Sequence, residues 1–142
     1  MLVLLVSPTC GFSNAPSFRL LVDSLRQSLA VQASQRGVGF SVMGVSQTRD
    51  PESGIRQLSG FGTFDEIAVG RSWYNLAVGR YFLNTLGGSA MTPQIAVVER
   101  QLGLESAPQV SDERVLLRLV GLGDITRWAK YRFVLSADLT VR

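Results

Sequence analysis

The 142-residue sequence has no histidine, a single cysteine and a single lysine. Without histidine there is no Ser–His–Asp or Cys–His catalysis, no imidazole metal site and no imidazole acid–base chemistry near neutrality. The one cysteine, Cys10, can form no internal disulfide and no zinc cage, so a metal would need carboxylates alone or a second chain. No apolar run approaches the roughly 18 residues of a membrane-spanning helix, so no membrane insertion is expected within this chain. The opening run from Met1 to Val6 is short and lacks the basic flank of a signal peptide. Clustered basic residues are missing too. Thirteen arginines and Lys130 give a net charge of +3, but they are spread along the chain, which argues against a nucleic-acid footprint.

What is present is an ordinary globular composition, 46% apolar and 18% charged, long enough for one domain with a real core. Leu2 to Ser7 lacks polar alternation and reads as a strand covered on both faces. From Gly11 to Arg36 the pattern is helical, with Phe18, Leu21, Val22, Leu25 and Leu29 on one stripe, Pro16 as a source of a kink and Gly37 as the stop. Val38 to Val45 reads as a second buried strand. Asp50 and Pro51 then give an N-cap and a first-turn proline to a short helix that ends at the glycines of "SGFGTF". Glu66 to Val69 reads as a short strand, and Ser72 as the cap of a helix running to Leu86. Gln94 to Arg100 is a strong strand, followed by an irregular stretch and by Arg114–Val120 as its antiparallel partner. Gly123 and Asp124 read as the cap of a last helix, and the tail from Phe133 as a further strand or loose chain. Trp73, Tyr74, Tyr81, Phe82 and Trp128 read as packing residues.

The resulting order is β-α-β-α-β-α-β-β-α. The early strands, separated by helices, must be parallel, while the closing pair can be antiparallel, so the expected architecture is α/β: a mixed sheet with helices on both faces. A start inside the first strand points to a truncated or mis-assigned beginning. As given the chain reads as cytoplasmic; a signal or anchor upstream of Met1 would make it extracytoplasmic.

This order, with "PTCGFS" after the first strand and "MTPQIAVVE" leading into a later one, resembles the thioredoxin fold. The resemblance implies a thioredoxin-like domain over residues 1–132 and a tail over 133–142. It also implies a reactive Cys10 at the start of the first helix and a cis-proline at Pro93 beside it. The tetrapeptide Cys10-Gly11-Phe12-Ser13 is identical to the signature of the monothiol glutaredoxins, which use glutathione and hold iron–sulfur clusters between subunits. In that family Asp124, after Gly123, would meet glutathione; its lysine ahead of the motif is absent from residues 1–9 here. The layout from "FSVMGVS" to "TPQIAVVER" is similar instead to TlpA/ResA-type thioredoxins and their peroxiredoxin relatives. In these a helix and a strand are inserted between the central strand and the helix before the cis-proline. We weigh that ordered series of elements above the tetrapeptide. Peroxidase chemistry ranks below both: Ser7 fits the peroxiredoxin spacing, but Val3 stands where its proline belongs.

The implied chemistry is monothiol. A helix start stabilises a thiolate, so Cys10 is expected to be acidic. Ser13 can donate a hydrogen bond to it but cannot attack a mixed disulfide, so a second thiol from outside must resolve it. Pro93 keeps a backbone N–H away from the sulfur, Thr92 offers its main chain to an extended substrate, and Phe12 points outward as a docking residue. The expected partner is a protein or glutathione disulfide, with no bound cofactor beyond glutathione itself. Two readings of Cys10 stand side by side: a nucleophile, or a small buried filler at a degenerate site that only binds a partner. Ser13 and Asp124 likewise read either as site residues or as helix-start residues.

Overall fold

The computed structural model describes residues 1–83, 89–103 and 109–135. The strands are β1 (Leu2–Val6), β2 (Val42–Ser46), β3 (Glu66–Ala68), β4 (Gln94–Gly103) and β5 (Gln109–Val120). The helices are α1 (Gly11–Asn14), α2 (Pro16–Gln35), α3 (Pro51–Ser59), α4 (Leu76–Val78) and α5 (Gly121–Lys130). A 3₁₀ turn, Ser72–Tyr74, precedes α4, and a π-helical turn, Gly79–Leu83, extends it. The strands form one open mixed sheet in the order β3-β2-β1-β4-β5. β1, β2 and β3 run parallel, and β4 is antiparallel to both β1 and β5. The architecture is therefore α/β, as the order of elements predicts.

All five residues of β1 are fully buried. Leu2, Leu4 and Val6 face Phe18, Val22, Leu25 and Leu29 of α2, Leu58 of α3, Phe61 and Ile125 of α5. Val3 and Leu5 face Ala77, Val78, Tyr81 and Phe82 on the other side. Burying each of these aliphatic side chains contributes about 1.5–3 kcal/mol, so the central strand is held from both layers. No described helix is long and apolar enough to cross a membrane.

Several expected boundaries move, each for a local reason. The helix expected over Gly11–Arg36 is broken at Ala15, which is extended (φ −63°, ψ 132°). Proline clashes with a helical conformation at the preceding residue, and Pro16 then serves as the first residue of α2. Gly37, at φ +68°, closes α2: its N–H donates to Ser34 O and that of Val38 to Ala33 O, both at 3.0 Å. Val38 is spent on this cap and is exposed, so β2 begins at Val42 rather than Val38. Ser72 caps nothing, since it and Arg71 lie in the left-handed region (φ 52° and 59°). The cap is Asn75, whose Oδ1 accepts from Ala77 N–H at 2.9 Å. The end expected at Leu86 lies outside the described residues. Asp124 likewise caps nothing: α5 starts at Gly121, and Asp124 sits within its first turn. Tyr74 is 87% exposed rather than packed. Phe133 is buried and stands edge-on to Trp128 at 5.3 Å; residues 136–142 lie outside the described residues.

Asp50 caps α3 as expected, accepting from the N–H groups of Glu52 and Ser53. This docks α3 so that Leu58 and the following Phe61 and Phe64 press on β2, where the absence of a side chain at Gly44 makes room. A Cβ there would lie 2.9 Å from the Phe64 ring and 3.0 Å from Leu58 Cδ2. Gly44→Ala is therefore expected to cost about 1–3 kcal/mol in denaturant unfolding. Gly39→Ala, where a Cβ would meet nothing within 4 Å, is expected to be nearly neutral by the same measurement.

Candidate functional site around Cys10

Where β1 ends, Ser7, Pro8 and Thr9 turn the chain into α1. The turn is closed by Cys10 N–H donating to Ser7 O at 3.1 Å, and α1 opens with Asn14 N–H donating to Cys10 O at 3.2 Å. Cys10 holds the extended N-cap position of α1. Ser13 is fully buried, one turn on, and its Oγ accepts from Ser7 N–H at 3.3 Å. A hydrogen-bonded relay anchors this loop from behind. Ser46 Oγ donates to Gln57 Oε1 (3.0 Å), Gln57 Nε2 to Asn14 Oδ1 (3.0 Å), and Asn14 Nδ2 to Pro8 O (2.8 Å).

The other wall is the segment leading into β4. The Thr92–Pro93 peptide is cis. The Cys10 thiol donates to Thr92 O across 3.2 Å, joining residues 82 positions apart in sequence. Pro93 presents no N–H to the sulfur. Its own carbonyl accepts from Gly121 N–H at 2.8 Å, which ties the start of α5 to the same segment.

Partial burial pushes the Cys10 thiol up, but hydrogen bonds from the Ser13 and Thr92 side chains and the Ser13 and Phe12 backbones outweigh it. The thiol is held below its ordinary value. Thr92 acts in both senses, because its carbonyl favours the thiol form and its hydroxyl the thiolate. The net effect is a lowered value, the donors together outweighing burial. With α1 only four residues long, these near donors do more than any macrodipole.

The structure thus brings Cys10, Ser13, Thr92 and Pro93 together. Phe12 lies beside Cys10 with 66% of its surface exposed, and Met91 next to Thr92 is 57% exposed. The Asp124 carboxylate pairs with Arg127 at 3.0 Å on the surface of α5. Among the described residues no group of three or more Cys, Asp or Glu side chains gathers to hold a metal. Sequence reading missed Asn14 and Gln57. Their partners lie on other elements, so no local pattern marks them.

Gln57 is the middle of the relay, and its loss takes away the partner of the buried Ser46 hydroxyl and of Asn14 Oδ1. Gln57→Leu is expected to lower stability by about 2 kcal/mol in denaturant unfolding, more than Ser46→Ala, which strands one acceptor only. No family model, curated protein or solved structure matches the chain.

Proposed function

We propose that the protein is a thioredoxin-like thiol–disulfide oxidoreductase working through Cys10 alone. The observation that carries the reading is the placement of Cys10 Sγ between the α1 donors and Thr92, with its thiol more acidic than an ordinary one. The sheet order supports it, with Cys10 after the central strand and Pro93 before the antiparallel strand beside it. So do α3 and β3, which follow β2 and precede the helical turns before Pro93, the order that the TlpA/ResA-type resemblance implies.

In the proposed reaction the Cys10 thiolate attacks one sulfur of a disulfide R–S–S–R′. The Cys10–S–S–R bond forms, the S–S bond of the substrate breaks, and R′–S⁻ leaves with the electron pair and takes a proton from water. Ser13 cannot attack the adduct. A second thiol, from glutathione or a protein, attacks it as thiolate, forms a disulfide with R–S and returns Cys10 as thiolate. Phe12 and Met91 supply an apolar rim for the substrate. That rim also favours a second reading, a docking module without turnover, and Cys10→Ser separates the two. Capture of a disulfide-bearing partner survives the substitution in a docking module and is lost in the oxidoreductase.

The rate of Cys10 alkylation against pH is expected to reach its midpoint below the ordinary value of about 8.5 for a free thiol. Ser13→Ala removes a donor to the thiolate and is expected to move the midpoint up. The sign for stability follows. A folded-state value below the unfolded one stabilises the fold above the unfolded value, and that contribution fades as pH falls through the folded one. The reduced protein should therefore gain stability on raising pH through that window, and Cys10→Ala should gain less, keeping only what the buried Met1 ammonium contributes in the same direction. A midpoint at or above the ordinary value contradicts the reading.

A further inference from the structure

Gln94, the first residue of β4, has no solvent exposure at all. Its amide Nε2 donates to two main-chain carbonyls, Ser89 O at 2.7 Å and Met91 O at 2.6 Å. Its Oε1 is buried and meets no donor among the described residues. An apolar side chain of the same length would fill this space without an orphaned oxygen, so the residue is suited to its place by its two donors.

What those donors hold is the wall opposite Cys10. Three successive carbonyls there are each engaged: Met91 O by Gln94 Nε2, Thr92 O by Cys10 Sγ, and Pro93 O by Gly121 N–H. With the first and third fixed, the peptide between them has little freedom to turn, and its carbonyl stays on the sulfur. A second bond from the same amide pins Ser89, so the segment is held at two points ahead of Thr92.

We propose that Gln94 is a positioning residue for the thiol site, fixing the Ser89 and Met91 carbonyls and thereby aiming Thr92 at Cys10 Sγ. Gln94 does not touch the sulfur and acts only through Thr92. The inference rests on the reading of Cys10 as the working thiol for its importance, but its test does not.

Because Cys10 is the sole cysteine, the S–H stretching band of the protein reports one hydrogen bond, from Sγ to Thr92 O. Gln94→Met keeps the length of the side chain and removes both donors. In folded protein, verified by a cooperative thermal transition and unchanged near-ultraviolet dichroism, the band is expected to shift to higher frequency and broaden as the bond weakens. A band of unchanged position and width in folded Gln94→Met overturns the proposal. Should that variant not fold, Gln94→Glu carries the test, since its carboxyl donates one hydrogen bond when protonated and none when ionised. The band is then expected to move as the pH crosses the titration of Glu at that position, and a band that stays still overturns the assignment. The measurement is made on the resting thiol, so it remains decisive for Gln94 even if Cys10 transfers no disulfide. Conversely, a shifted band beside an alkylation midpoint at the ordinary thiol value upholds Gln94 and removes the oxidoreductase reading.

Discussion

The burial of β1 on both faces is the constraint from which the rest follows. A strand with no exposed residue needs a neighbour on each edge and a helical layer on each side. The chain meets this by crossing over to β2 and β3 on one edge and returning through β4 and β5 on the other. The end of β1 therefore lies where the chain departs to one side and comes back on the other. Loops at such a point have room between them, which is why open α/β sheets place ligands there. Cys10 and Thr92 are the residues this topology brings face to face.

Polar side chains then turn proximity into geometry. On the β2 side, Ser46, Gln57 and Asn14 hold the loop before Cys10; on the β4 side, Gln94 and Gly121 hold the carbonyls around Thr92. The sulfur is thus gripped between two walls anchored to different strands. Such an arrangement tunes a thiol without histidine, using hydroxyl and backbone donors where other sites use an imidazolium.

Much of this was legible in the sequence where the signal is local. The apolar run of β1, the stripe of α2, the Asp50–Pro51 start of α3 and the core of β4 each follow from their own residues. The inner part of the β4–β5 ribbon, Gln94–Arg100 against Arg114–Val120, was legible, whereas its outward extension to Gly103 and back to Gln109 was not, because that end is polar and charged. Its stability comes from pairs across the strands: Arg114 with Glu99 at 2.9 Å, and Arg100 with Glu113 at 2.6 Å, in register. Read alone, the outer ends of the two strands look like irregular chain. The break at Ala15 was half visible, since Pro16 announced a disturbance but not its position. In the candidate site, Cys10, Ser13, Thr92 and Pro93 lie together in the structure, and the cysteine and the proline each stood out in the sequence. Gln94 and Gln57 were invisible, because a glutamine becomes informative only once its buried partners are known.

The central claim is that Cys10 is a nucleophile that works one thiol at a time, and the direct measurement is its reaction with a small aromatic disulfide. At a pH below the ordinary thiol range, the account predicts rapid release of one leaving thiol per chain. It also predicts a mixed disulfide on Cys10 that persists through gel filtration until an external thiol is added. Slow release that tracks ordinary thiol ionisation, or an adduct that resolves unaided within the monomeric chain, would contradict it.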